Sequence, residues 1–137
     1  MKPRLKEYIP QAITAISATL AIVENGQRTN NVDERYDGYA SSLGAAIITS
    51  GISPAIAFYT DLHRSGEGNV RRFRILNIIT TILVNDGIAI TDPAQNNALL
   101  NFVLHVPNQT AAFKEKLLDA TIAVKLALRN FNHVKTS

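Results

Sequence analysis

The sequence predicts an all-α fold, a single-domain helical bundle of about six helices spanning residues 1–137. Three observations point there. Apolar residues recur at three and four positions through most of the chain, which is the stripe of an amphipathic helix. Gly, Pro and Asn-rich breaks cut this pattern into helix-sized pieces. Hydrophobic residues make up 46% and charged residues 18%, and 137 residues suffice to bury a core without a staple.

Ile9, Ile13, Ile16, Leu20 and Val23 set the first stripe, with Pro10 expected to open the helix and Asn25-Gly26 to close it. Lys2, Arg4 and Lys6 before this run resemble the start of a secretory signal. Glu7 within the basic part, and Gln11, Thr14, Ser17 and Thr19 within the apolar part, argue for a soluble helix instead. Gln27 to Asn31 is then the first loop. Asn31 with Glu34 three residues on has the form of a capping box, opening a second helix striped by Tyr36, Tyr39, Leu43 and Ile47.

That helix runs into the segment AIITSGISPAIAFY, where Ser50-Gly51-Ile52-Ser53 interrupts an apolar run and Pro54 restarts it. Gly51 suits a helix end, Ser53 an N-cap and Pro54 a first helical position, so a corner between two helices is expected. The third helix reaches about Arg64 and ends at Gly66 and Gly68. Asn69 is expected to cap a fourth helix. Ile75, Leu76, Ile78, Ile79, Ile82, Leu83 and Val84 cover most of its circumference, which places it centrally. Asn85-Asp86-Gly87 forms a turn, and Ile88 to Ile90 a brief extended piece. Asp92 and Pro93 are expected to start a fifth helix that runs to about Val106. Pro107 and Asn108 separate it from a last and longest helix carrying Phe113, Leu117, Ala120, Val124, Leu128 and Phe131.

The chain has no Cys, which excludes disulfides, thiol chemistry and Cys-based zinc sites and is compatible with a reducing cytoplasm. No run reaches the roughly 20 apolar residues of a membrane span, so no membrane partner is expected. His63, His105 and His133 lie far apart without a carboxylate or second His at metal-ligand spacing, and neither a phosphate-cradling glycine loop nor a nucleophile elbow occurs. Asp33, Glu34 and Asp37 cluster where a helix start favours negative charge. We therefore expect no catalytic residues, no metal and no cofactor.

The formal charge of +3 and pI near 9.4 permit contact with nucleic acid. Arg64, Arg71, Arg72 and Arg74 stand close together near the start of the fourth helix, against the preference of the helix dipole. Lys114, Lys116, Lys125, Arg129 and Lys135 follow on and after the last helix. Arg71, Arg72, Arg74, Lys125 and Arg129 are the candidate RNA-binding residues, each able to grip a phosphate without reading a base.

The tyrosine-bearing helix of Tyr36 and Tyr39, the segment Gly51-Ile52-Ser53-Pro54-Ala55-Ile56-Ala57-Phe58 after it, and the closing Ala127-Leu128-Arg129-Asn130-Phe131-Asn132 resemble the small-subunit family of the Cmr complex. That complex is the type III-B CRISPR RNA-guided effector. The family's segment is Gly-Leu-x-x-x-Leu-Ala-Phe-like, and its closing stretch resembles Trp-Leu-Lys-Arg-Phe-Ala. This chain keeps Leu128, Arg129 and Phe131 while losing the Trp and the second basic residue, and it has Ser41 and Ser42 where basic residues are common. The resemblance implies a non-catalytic subunit that stacks with copies of itself beside larger backbone subunits of the complex. It would help to form the groove where target RNA pairs with guide RNA in antiviral defence, base pairing carrying the sequence selectivity. Of the candidate cations only Arg129 is carried over from the family's pattern; the others rest on charge. An alternative reading is a helical protein-protein adaptor whose arginines meet acidic surfaces.

Overall fold

The computed structural model describes residues 2–61 and 66–136. Six α-helices dominate it: α1 (Pro3–Thr19), α2 (Arg35–Ser50), α3 (Ile52–Thr60), α4 (Glu67–Asn85), α5 (Ala98–Leu104) and α6 (Ala111–Leu128). The all-α expectation holds, with a 3-10 turn at Val106–Asn108 before α6. Helices α4 and α6 form the centre. α6 packs against α1, α2 and α4, while α4 also meets α1, α2 and α3. Leu43 and Ile47 of α2, Ile79 and Leu83 of α4, and Leu117 and Leu128 of α6 are inaccessible or nearly so, and burying one such side chain contributes about 1.5–3 kcal/mol.

Several boundaries differ from the sequence reading, each for a local reason. Pro3, not Pro10, occupies the first turn of α1, and Pro10 lies inside the helix with its ring exposed. Asn25-Gly26 does not end α1, which stops at Thr19. The pair forms instead the two-residue turn of a hairpin between β1 (Val23–Glu24) and β2 (Gln27–Arg28), with Val23 opposite Arg28. Asn25 and Gly26 have φ of 51° and 77°, the left-handed pair whose twist suits a tight hairpin. The expected loop from Gln27 to Asn31 instead holds β2 and the first residue of strand β3 (Asn31–Asp33). Strand β3 pairs in parallel with β4 (Asn132–Val134), the segment that follows α6. Asn31 is thus a strand residue, and the first turn of α2 is served by Asp33, whose Oδ1 accepts from Arg35 N at 2.8 Å.

The interrupted apolar run needs fewer residues than expected. Ser50 still belongs to α2 and Ile52 already to α3, so Gly51 alone makes the corner. Its N–H donates to Ile47 O at 3.2 Å, and its own carbonyl accepts from Ala55 N at 3.3 Å. One residue closes one helix and opens the next with φ of 96°, which only glycine adopts without strain. Ser53 is not an N-cap; its hydroxyl accepts from Gln109 Nε2 at 2.8 Å. Pro54 is the third residue of α3, still within the first turn, where a missing N–H leaves no intrahelical bond unmade. Tyr59 locks the corner by donating to Tyr39 O at 2.6 Å, and burial pushes its phenol up to about 12.

Gly66 precedes α4, which starts at Glu67, so Asn69 lies in the first turn and is buried. Gly87 turns with φ of 87° as expected, but among the described residues Ile88 to Ile90 pair with no strand. Asp92, with φ of 48°, and Pro93 lie in a run of turns; α5 starts only at Ala98. Thr110 caps α6, its Oγ1 accepting from Phe113 N at 3.0 Å. α4, at 19 residues, is longer than α6 at 18. Phe131 lies past the end of α6 yet stays buried.

Candidate nucleic-acid interface

The candidate cations divide by what surrounds them. Arg71 points inward, 7% exposed, with Nη2 3.2 Å from Asp33 Oδ2 and 3.9 Å from the exposed Glu67. Asp33 also accepts from the Thr136 hydroxyl and from Arg35 N, so it ties β3, α4 and the segment after β4 together. Burial alone would raise the Asp33 carboxyl. The Thr136 and Arg35 hydrogen bonds and the Arg71 and Arg35 charges outweigh it and hold the group below its ordinary 3.8.

Arg72 lies over two rings, its guanidinium carbon 4.6 Å from the Phe58 centroid and 5.5 Å from that of Tyr39. One of its Nη atoms donates to Asn69 Oδ1. Arg74 is exposed, and its Nη1 donates to Tyr36 Oη at 3.2 Å. Lys125 is half-buried in the last turn of α6, and Arg129, just beyond it, is exposed. Both suit the negative end of the helix dipole. Among the described residues Arg74, Lys125 and Arg129 have no carboxylate within ion-pair distance. His63 and Arg64 lie outside the described residues.

The structure adds a cation that charge clustering missed. Arg28, at the end of β2, donates through Nη1 to Ala21 O at 2.8 Å and Thr19 O at 3.3 Å, carbonyls at and just past the end of α1. It shares with Arg74 a cavity of about 380 Å³ lined also by Ala15, Ala18, Asn77 and Thr81. Asn25-Gly26 was the signal for it, since a two-residue hairpin turn fixes the second residue after Gly26 opposite Val23 and swings it back onto the end of α1.

Other basic residues are engaged within the fold. Arg4 Nη1 is 2.8 Å and Lys2 Nζ 3.3 Å from the buried Asp119. Lys116 Nζ is 3.2 Å from Asp86, which also accepts from Tyr8 Oη at 2.7 Å. The Tyr8 hydrogen bond leads in holding the Asp86 carboxyl low, with Lys116 adding to it against burial, and burial pushes the Tyr8 phenol up. Among the described residues no group of three His, Cys, Asp or Glu is arranged to hold a metal ion. His133 donates through Nε2 to Leu128 O at 2.8 Å, a structural contact. No helix of the described residues is long and apolar enough to cross a membrane.

No curated protein and no solved structure matches the chain. A family profile does, over residues 13–126, from α1 to the last turn of α6; it describes a CRISPR-associated protein, Cas_Cmr5. The match spans the Gly51 corner and the helical bundle. With that coverage, the chain belongs to the Cmr5 family of CRISPR-associated proteins, the small subunits of the type III-B Cmr complex.

Proposed function

We propose that the protein is a non-catalytic, RNA-facing scaffold of a cytoplasmic Cmr effector, stacking with copies of itself beside the larger backbone subunits. Its role is to help form the groove in which target RNA pairs with guide RNA. The family match carries the assignment to the complex. Arg74, Lys125 and Arg129 are the candidate cations that reach the surface without a carboxylate among the described residues, and they would meet the RNA backbone. Arg71 and Arg72 would act beneath them, holding β3, α2 and α3 against the first turns of α4. Such contacts supply affinity that falls with salt and does not depend on base sequence. Base pairing would carry selectivity, and cleavage would belong to other subunits.

The test is affinity purification of the tagged protein from its native host, with sequencing of co-purifying small RNA and identification of bound proteins. Recovery of CRISPR-derived guide RNA with large backbone subunits is the expected result. Recovery of other proteins without RNA would favour a helical adaptor instead. Binding of the isolated protein to one RNA sequence over others would also count against the proposal.

A further inference from the structure

We propose that the cleft between the end of α1, the β1–β2 hairpin and α4 seats a phosphodiester of a single RNA strand, gripped by Arg28 and Arg74. The inference rests on the RNA-facing reading and locates one contact within it. Two guanidiniums from distant parts of the sequence line one cavity of about 380 Å³, which costs electrostatic repulsion unless an anion joins them. Among the described residues neither has an ion-pair partner: Arg28 is oriented by the carbonyls of Thr19 and Ala21, and Arg74 by the Tyr36 hydroxyl. Each of these bonds uses Nη1 alone. Among the described residues Nε and Nη2 of both arginines have no partner, and these two nitrogens form the fork that matches two phosphate oxygens.

The rest of the cleft fits the same occupant. Among the described residues no carboxylate lines it, so none of them competes for the arginines. Ala15 and Ala18 put no long side chain on the α1 wall. Asn77 and Thr81 on α4 add neutral hydrogen-bonding groups of the kind that meet ribose hydroxyls. The cleft is open to solvent, and its hydrogen-bonding groups suit a sugar-phosphate backbone.

The test follows binding of a fluorescein-labelled 20-nucleotide oligouridine by anisotropy between 50 and 300 mM salt. Ala18→Glu places a carboxylate at the cleft without touching either arginine, and far-UV circular dichroism checks that the variant folds. Arg74→Gln removes one guanidinium; Lys6→Gln, twelve residues and roughly 18 Å along α1 from Ala18, is the reference. Ala18→Glu is expected to weaken binding at least tenfold. Arg74→Gln should lower the slope of log Kd against log salt by about 0.7, the single-strand value per phosphate contact, and Lys6→Gln should do neither.

If the unmodified protein binds and both cleft variants bind like it, the phosphate seat is wrong while the RNA-facing reading stands. Failure of the unmodified protein to bind at 50 mM salt overturns that reading and the seat with it. Inorganic phosphate at 10 mM, compared with chloride at equal ionic strength, separates a strand from a free anion. Displacement of the RNA by phosphate alone would mean that the cleft serves a small anion and would overturn the proposal.

Discussion

Replacing Asp33 with asparagine removes one negative charge from a site that is 5% exposed and faces a guanidinium that is 7% exposed. The amide oxygen can still accept from Arg35 N, and the amide nitrogen that replaces Oδ2 can donate to the Thr136 hydroxyl, so the loss falls mainly on Arg71, which stays buried without its counter-charge. Breaking a buried pair this way costs about 3–5 kcal/mol. Glu67, at 3.9 Å but with an exposed side chain, offers partial compensation, which puts the cost near the lower end, about 3 kcal/mol. With a urea m-value of about 2 kcal/mol/M for a domain of this size, the unfolding midpoint should fall by roughly 1.5 M. Arg71→Met should cost about as much. The double variant Asp33→Asn/Arg71→Met should lose at least about 2 kcal/mol less than the sum, because neither charge is then stranded. A midpoint shift below about 0.3 M for Asp33→Asn, or simple additivity in the cycle, would refute the internal role assigned to Arg71.

The same carboxylate predicts a pH dependence. The folded-state values of Asp33 and Asp86 are held below the ordinary 3.8, so both stabilise the protein fully above that value and lose the contribution as pH falls through their folded values. Urea midpoints should therefore be flat near neutral pH and drop below about pH 4, and Asp33→Asn should blunt the drop. Gly51→Ala forces a side chain onto φ of 96° and should destabilise by about 1–3 kcal/mol, read as a lower urea midpoint. Gly44→Ala should do the opposite. It lies inside α2, and an added Cβ meets only Thr121 Cγ2 at 3.7 Å, so removing a helical glycine should raise stability by about 0.5–1 kcal/mol.

The helices were legible because their periodicity is long and strong: the stripes of α2, α4 and α6 present buried positions at three- and four-residue spacing, while on α1 the buried residues are Tyr8, Ala12 and Ile16, with Ile9 and Ile13 half-buried and Val23 in β1. Errors fell where one local signal serves two structures. Asn-Gly can end a helix or turn a hairpin, and two-residue strands carry no periodicity to decide between them. Asp92-Pro93 reads as a helix start, yet the next residues are turns and α5 waits until Ala98. Strand β4 was invisible for a different reason. Asn132, His133 and Val134 have no pattern of their own and are extended because β3 lies beside them. The candidate site was legible as charge but not as direction. Arg71 and Arg74 sit three apart on one helix; one turns to a buried carboxylate and the other to an open cleft, and only tertiary packing separates them.

Strands β3 and β4 join residues 101 positions apart, as in the contact between Asn31 and Asn132. Their pairing cannot form until the intervening helices have brought the two ends together, and closing so long a loop adds entropy that local helix contacts do not incur. The ladder and the Asp33 cluster beside it are therefore expected to assemble late in folding. Interactions made that late leave the folding rate almost unchanged and set instead how quickly the native state opens. Substitutions in Asn132–Val134 are thus expected to change the unfolding rate more than the folding rate.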